Sequence, residues 1–232
     1  MAKKRSKRYE QAAQLVEEGR LYSLNDAVDT IKKFPAPKFD PTVTLSFHLG
    51  VDPKKSDQMV RGSVALPHGT GKNVRVVVFA TGDAAKAAES AGADQVGMED
   101  LIKKVQEGFT DFDVAIATPD AMAEVRKIAR VLGPRGLMPN PKTGTVTDDT
   151  AKAIGEVKAG RVDYKVDKSG NVSGTIGRAS FSEEQLRENA AAMLESVSKS
   201  KPASAKGNFI RTATIAAAMC PGVPLETSDY NN

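Results

Sequence analysis

The chain has 232 residues, of which 40% are apolar and 5% aromatic with no Trp, so it suits one large domain or two ordinary domains with aliphatic cores. Its apolar runs are too short to span a bilayer, the charged start lacks the apolar stretch of a secretory signal, and one Cys excludes an internal disulfide framework, so we expect a cytoplasmic protein with no membrane partner. The net charge of +4 is unevenly spread, because residues 69–159 carry 12 basic and 13 acidic side chains while the two ends carry 21 and 16.

The chain starts with a basic tail of five positive side chains: Lys3, Lys4, Arg5, Lys7 and Arg8. Such a tail suits an RNA backbone, because neutralising phosphates releases counterions. It suits a merely solvated terminus equally well. After the tail, the pattern predicts a short helix from Tyr9 to Glu18.

A second helix begins after Ser23. The spacing from Ser23 to Asp26 indicates a capping box, in which Ser23 accepts a bond from the backbone and Asp26 reaches back. The helix continues to about Phe34, where Pro35 and Pro37 end it.

Residues 42–51 alternate strictly between two kinds of side chain. The apolar set is Val43, Leu45, Phe47, Leu49 and Val51, and the other set is Thr42, Thr44, Ser46, His48 and Gly50. This period predicts a half-buried strand with one polar face. A second strand at 61–66 is close enough in sequence to be its antiparallel partner.

The middle of the chain has a different pattern. Residues 74–80 are nearly all apolar, which is typical of a strand covered on both faces. The segments that follow alternate between helical and strand patterns: helices at 83–91 and 99–107, a strand at 112–117 and a helix at 119–132. This alternation predicts an α/β unit with a largely parallel sheet.

The last part returns to the style of the first. Alternating strands at 161–166 and 171–176 precede a capping box at Ser182 to Gln185, a helix to about Lys199 and a last strand at 209–215. The side chains of this helix that we expect to face inward are Leu186, Ala190, Met193 and Val197.

We therefore predict an α/β protein of two domains. Residues 1–68 plus 160–232 form a discontinuous α+β domain, and 69–159 form an inserted Rossmann-like three-layer α/β domain, since insertion at exposed loops is well tolerated. Three consecutive small units are the alternative, but the terminal ones are marginal in size.

The residues carry no recognisable catalytic, metal or cofactor site. The stretch from Gly69 to Lys72 resembles a phosphate loop in composition only, since it precedes a strand and lacks the required spacing. His48 and His68 have no further ligand at metal-binding spacing, and Cys220 has no triad partner in the sequence. We expect Asp111 and Asp113 to cap the start of a strand.

Residues 132–144 hold three Gly and three Pro together with Arg135 and Lys142. Their composition fits either a rigid surface turn or an RNA-contacting loop. This segment resembles the signature of the large-subunit ribosomal protein family called L-one. Further matches follow in the family's order at 36–40, 49–57, 60–72, 112–120, 158–161 and 205–207.

The resemblance implies a non-enzymatic structural constituent of the large ribosomal subunit. It implies binding to large-subunit rRNA through the first domain, a mobile lateral stalk near the tRNA exit site, and translational repression of the protein's own mRNA. The implied partners are large-subunit rRNA, the protein's own mRNA, exit-site tRNA and other large-subunit components, with no cofactor. The implied location is the ribosome in the cytoplasm.

The resemblance also implies an RNA surface with members at three places in the chain: Lys38, Phe39, Asp40 and Thr42, then Arg161, then Met219 in a C-terminal turn. In that turn the chain departs from the family's Thr-Met-Gly, because Ala218 lacks the hydroxyl and Cys220 has a Cβ that restricts a positive φ.

The polar face of the strand at 42–51 adds Thr44 and His48, and the last strand adds Thr212. From the residues alone this face suits solvent or RNA, and Phe39 either stacks on a base or packs into its own domain. The resemblance favours RNA. The rival functions are a doubly wound nucleotide-dependent enzyme, against which the missing glycine fingerprint counts, and a free repressor that never joins the ribosome.

Overall fold

The computed structural model describes residues 5–205 and 207–230. Lys3 and Lys4 of the basic tail and Lys206 of the last family motif lie outside the described residues, as does the side chain of Lys142. The helices and strands follow in chain order: α1 (Lys7–Ala13), α2 (Leu24–Lys32), β1 (Thr42–Leu49), β2 (Arg61–Ala65), β3 (Val76–Phe79), α3 (Gly82–Ser90), β4 (Gln95–Gly97), α4 (Glu99–Gln106), β5 (Val114–Ala117), α5 (Met122–Val125), α6 (Ala129–Leu132), α7 (Thr150–Lys158), β6 (Arg161–Lys165), β7 (Asn171–Arg178), α8 (Glu183–Lys199), β8 (Ile210–Ala217) and β9 (Gly222–Leu225).

The protein is a mixed α/β structure whose chain divides into two compact units. The first unit contains the residues up to Gly71 and those from Val162 onward, and the second is Lys72–Arg161. These crossings lie within three residues of the expected ones at 68/69 and 159/160. That each unit folds as an independent domain stays a prediction.

The first unit is built on a four-stranded antiparallel sheet in the order β7-β1-β8-β9. The alternation predicted for β1 is confirmed, because Val43, Leu45, Phe47 and Leu49 are at most 1% exposed. Helices α2 and α8 pack together and cover the apolar face of the sheet. The other face of β1 is half-exposed along its whole length.

Helix α8 follows its predicted bounds closely. Ser182 Oγ accepts from the Gln185 N–H at 3.2 Å and Gln185 Oε1 accepts from the Ser182 N–H at 2.9 Å, so the capping box is confirmed. The four side chains predicted to face inward are fully buried. The sheet lets the helix approach at Gly174, where a Cβ would lie 2.3 Å from Met193 Cε.

Strand pairing in the first unit differs from the sequence-based expectation. β2 does not pair with β1 but forms a separate two-stranded sheet with β6. Both edges of β1 are occupied by β7 and β8, which come from the far end of the chain. The predicted last strand is followed by one more, β9. Proximity in sequence therefore did not decide the pairing. Strand β7, which packs on α8, and strand β8, which packs on α2, occupy the two edges of β1.

Two helices near the N-terminus also differ from expectation. Helix α1 ends at Ala13 rather than Glu18. The capping box predicted at the start of α2 consists of two hydrogen bonds. The structure shows the one made by the serine side chain, in which Ser23 Oγ accepts from the Asp26 N–H at 3.2 Å. The buried side of α2 is the predicted one, with Ala27, Val28 and Ile31 inside.

The second unit is built on a three-stranded parallel sheet in the order β4-β3-β5, as the alternation of its segments predicts. All four residues of β3 are buried, and they divide between two cores. Val77 and Phe79 pack with α4, α5 and α6, whereas Val76 and Val78 pack with α3 and α7. The sheet is therefore covered on both faces.

Three elements of the second unit depart from the sequence-based prediction. The helix expected over 119–132 is broken into α5, a 3-10 turn at Arg126–Ile128 and α6, with Ile128 outside helical geometry at φ −99° and ψ 7°. Strand β4 and helix α7 were missed. The signal for α7 was present, since Asp149 caps it by accepting from the Lys152 N–H at 3.1 Å.

Candidate nucleic-acid interface

The face of the four-stranded sheet opposite its core carries a grid of short polar side chains. The strand register places Thr44 between Thr175 and Ala216, Ser46 between Ser173 and Thr214, and His48 between Asn171 and Thr212. All of these except Ala216 are polar, and none bears a permanent charge. Such a surface offers hydrogen-bond donors and acceptors suited to sugar hydroxyls and base edges rather than to phosphates.

Cross-strand hydrogen bonds hold this grid in place. Ser46 Oγ lies 3.0 Å from Ser173 Oγ, and Thr44 Oγ1 donates to the Ala216 carbonyl at 3.3 Å. His48 Nδ1 lies 2.9 Å from Asn171 Oδ1. These five side chains are therefore ordered before any ligand arrives, which reduces the entropy lost on binding.

The carboxylate of Asp167 closes the turn at the His48 end of the face. It accepts at 2.8 Å from the backbone N–H groups of Ser169 and Asn171, and Asn171 Nδ2 donates to it at 3.2 Å. The Asn171 backbone bond is the main cause that lowers the pKa of Asp167 below its ordinary value. This carboxylate therefore keeps its charge at neutral pH.

The three predicted site residues in the loop before β1 differ in what their side chains contact. Lys38 is exposed and Phe39 is 47% exposed, so both are accessible to a ligand. Asp40 instead binds its own chain, with Ser180 Oγ and the Ser180 N–H donating to its carboxylate at 2.7 and 3.1 Å. Because a carboxylate also repels phosphate, Asp40 contributes here by fixing the loop.

The turn between β8 and β9 lies beside the start of β1. The Ala218 N–H donates to the Thr42 carbonyl at 2.9 Å, which brings Thr42 and Met219 to the same end of the sheet. Met219 is 69% exposed and has a φ of 61°, in the left-handed region. We expected Cys220 to obstruct a positive φ, but the turn takes that conformation one residue earlier and Cys220 packs against the core.

The remaining predicted residues lie elsewhere. Thr212 is exposed and sits directly opposite His48 in the sheet, at the end away from the Met219 turn. Arg161, expected with the first domain, is the last residue of the second unit. Its side chain is only 15% exposed, and its guanidinium bonds Glu156 Oε2 at 2.6 Å and the Thr143 carbonyl.

Three polar residues of β7 on this face were missed in the sequence: Asn171, Ser173 and Thr175. The alternation of 171–176 was visible and predicted one polar side. Only the pairing of β7 with β1 shows that this side continues the face of Thr44 and His48. Thr214 was overlooked for the same reason.

The aspartates at the start of β5 serve structure, as expected. Asp113 accepts from Lys72 Nζ at 2.5 Å and from the Arg75 N–H at 3.1 Å, and Asp111 pairs with the Arg75 guanidinium. The Lys72 bond is the main cause that lowers the pKa of Asp113, while burial acts against it.

Within residues 5–205 and 207–230, no group of three or more His, Cys, Asp or Glu is placed to hold a metal ion. None of the helices described there is both long and apolar enough to cross a membrane.

Comparison with known proteins identifies a family and a similar relative. The sequence profile of the Ribosomal protein L1p/L10e family matches residues 31–221, which is most of the chain. A protein of Saccharopolyspora erythraea described as large ribosomal subunit protein uL1 is 55% identical over 229 residues, covering 99% of this chain and 96% of that protein.

Proposed function

The chain belongs to the Ribosomal protein L1p/L10e family, and from this premise we propose that it binds large-subunit rRNA through the open sheet face of its first unit. Members of this family are structural, non-enzymatic components of the ribosome, which confirms the expectation that the chain is not an enzyme. The observation that carries the RNA proposal is the ordered grid around Ser46, flanked at one end by exposed Phe39 and Met219.

The polar grid and the residues beside it would make different kinds of contact with RNA. Short hydroxyls suit the 2′-hydroxyl groups and base edges of RNA, and an exposed aromatic ring suits stacking on an unpaired base. Lys38 supplies a charge for a phosphate beside Phe39. We propose the site residues that the resemblance implies, extended by the β7 side chains. The face of the first unit comprises Lys38, Phe39, Thr42, Thr44, His48, Thr212 and Met219, with Asn171, Ser173 and Thr175, and Asp40 fixes its loop. Arg161, in the second unit, is proposed as a separate phosphate contact.

The two units differ in their proposed roles. The first is the discontinuous rRNA-binding domain, and the second is the inserted, Rossmann-like three-layer domain. The excess of basic over acidic side chains in the terminal segments supports this assignment. In the second unit both faces of the sheet are covered by helices, so it offers RNA only its loops and outer helix surfaces.

Family membership also motivates the finer proposals. The protein forms the mobile lateral stalk near the tRNA exit site, contacts exit-site tRNA, and represses translation of its own mRNA. It acts in the cytoplasm on the ribosome. In this proposal rRNA and mRNA bind the same sheet face, so the protein cannot bind both at once.

Sedimentation of ribosomes tests the main proposal. The wild-type chain should pellet with the large subunit, and Ser46→Glu should not, because a carboxylate at the centre of the grid repels phosphate. Ser90→Glu, on α3 of the second unit, is the matched control and should pellet normally. Melting curves of both variants show whether they fold. A wild-type chain that stays in the supernatant would instead support the free repressor.

A further inference from the structure

Arg8 of the basic tail is hydrogen-bonded to its own protein. Arg8 lies on α1, is half-buried and extends its guanidinium to two loops at the Met219 end of the sheet. Nη2 donates to the Met219 carbonyl at 3.1 Å, and Nη1 donates to the Pro35 carbonyl at 3.5 Å. Nη1 also lies 3.8 Å from Cys220 Sγ.

Both of these loops carry proposed RNA contacts. Pro35 begins the segment that ends in Lys38, Phe39 and Asp40, and Met219 is the tip of the hairpin turn. The turn is held on its other side by the bond from the Ala218 N–H to Thr42. Arg8 therefore joins two segments that are far apart in sequence and that meet only at this end of the sheet.

The Met219 turn has particular need of such a bond. A residue other than Gly rarely adopts a positive φ, because its Cβ then crowds the backbone. Met219 is 69% exposed, so packing of its own side chain contributes little to hold it. The hydrogen bond to its carbonyl restrains the peptide that follows the strained residue.

We propose that Arg8 is a positioning residue for RNA binding, which fixes the Met219 turn against the Pro35 segment. This inference rests on the proposed function and separates Arg8 from the other tail cations, which would act on phosphates. The planar guanidinium can reach two carbonyls at once, whereas an ammonium group on a flexible stem cannot replace that geometry. Its effect on affinity comes through pre-organisation of the two loops.

Affinity measured against salt distinguishes the two roles. The probe is protein-free large-subunit rRNA, titrated with full-length wild type, Arg8→Ala, Arg8→Lys and Lys7→Ala. A residue that contacts a phosphate contributes roughly 0.7–0.9 to the slope of log affinity against log salt. We expect Arg8→Ala and Arg8→Lys to bind about fivefold more weakly at every salt concentration, the loss that one ordinary hydrogen bond implies, with the slope unchanged.

Lys7→Ala is the matched control, because Lys7 is the adjacent exposed cation. Its loss should lower affinity mainly at low salt and reduce the slope. The methyl NMR signal of Met219 gives an independent reading, which should shift or broaden in both Arg8 variants while the melting temperature changes little.

The outcomes separate the inference from its premise. If wild type binds this rRNA no better than an unrelated RNA, the proposed function fails. If wild type binds specifically but Arg8→Lys keeps full affinity and Arg8→Ala loses slope, Arg8 is a phosphate contact and the positioning role is wrong. An unchanged Met219 signal in Arg8→Ala would also overturn it.

Discussion

The two sheets of this protein differ in how many of their faces are covered. In the first unit, helices cover one face of the β7-β1-β8-β9 sheet and the other carries polar side chains. In the second unit, helices cover both faces of the β4-β3-β5 sheet. A sheet with a free face presents an extended, rigid array of side chains, and a sheet between two layers presents only what connects its strands.

The sequences of the central strands reflect this difference. β1 alternates apolar with polar residues because it has one wet face, whereas all four residues of β3 are buried. The same comparison places our predicted RNA surface in the first unit. The experiments below test it, starting with the largest expected effect.

Separating the two units tests the comparison directly. A chain in which residues 72–160 are replaced by a short flexible linker, so that Arg161 is kept, should bind large-subunit rRNA within about threefold of wild type, since the second unit is expected to add no base-specific contacts. Residues 72–161 alone should bind only non-specifically, weaker by roughly 10³ or more. Circular dichroism checks that both pieces fold. Specific binding by residues 72–161 alone would reverse the assigned roles.

Truncating the exposed ring tests one end of the face. Phe39→Ala should lose a stacking contact worth roughly 1–3 kcal/mol, which lowers rRNA affinity about five- to 150-fold with the salt slope unchanged. Met59→Ala, which removes another half-exposed apolar side chain of the first unit, is the control and should bind normally. Normal affinity of a folded Phe39→Ala would remove this ring from the site.

Replacing Met219 by Gly should change stability and rRNA affinity in opposite directions. Met219→Gly relieves the left-handed backbone, so the free energy of unfolding should rise by about 1 kcal/mol, while rRNA affinity should fall because the side chain is lost. Met219→Ala keeps the strain and loses the side chain, so it should bind weakly without added stability. Denaturant unfolding and RNA titration together decide this. A destabilised Met219→Gly would contradict the account of the turn.

Two cations in contrasting settings should respond differently to substitution. Lys38→Ala, at an exposed position of the first unit, should reduce the salt slope by up to roughly 0.7–0.9 and leave stability unchanged. Arg161→Ala should lower the free energy of unfolding by roughly 1–3 kcal/mol, since Glu156 and the Thr143 carbonyl lose their partner. If Arg161 also contacts a phosphate, as the family resemblance implies, Arg161→Ala should also reduce the slope of log affinity against log salt. An unchanged slope would remove it from the RNA site.

The smallest expected effect concerns acid stability in the second unit. The pKa of Asp113 is lowered in the folded state mainly by Lys72, so its contribution is present above the unfolded value of about 3.9 and is lost as the pH falls through the folded value. Asp113→Asn should therefore lose stability at pH 7, and the difference from wild type should shrink below about pH 4. Lys72→Ala should show the same pattern. A constant difference across that range would contradict the assignment.

Local features were predicted well wherever one strong signal decided them. Helix α8 kept its predicted ends because its capping box and its apolar period agree, and β1 kept its buried and exposed sides for the same reason. Helix α7 was missed although Asp149 marks its start. The helix over 119–132 was predicted as continuous because no Gly or Pro follows Pro119 to mark the break at Arg126–Ile128.

What the sequence by itself determined is the type of each strong element, the side of each strand that is buried, and family membership through motifs spread along the chain. What only the tertiary structure decided is which strands are neighbours and therefore which polar side chains form one surface. β1 pairs with strands from the other end of the chain, and Arg8 reaches a turn more than two hundred residues away. Periodicity is set by the local backbone, whereas strand partners are set by competition among all strands to bury their apolar faces on the same helices.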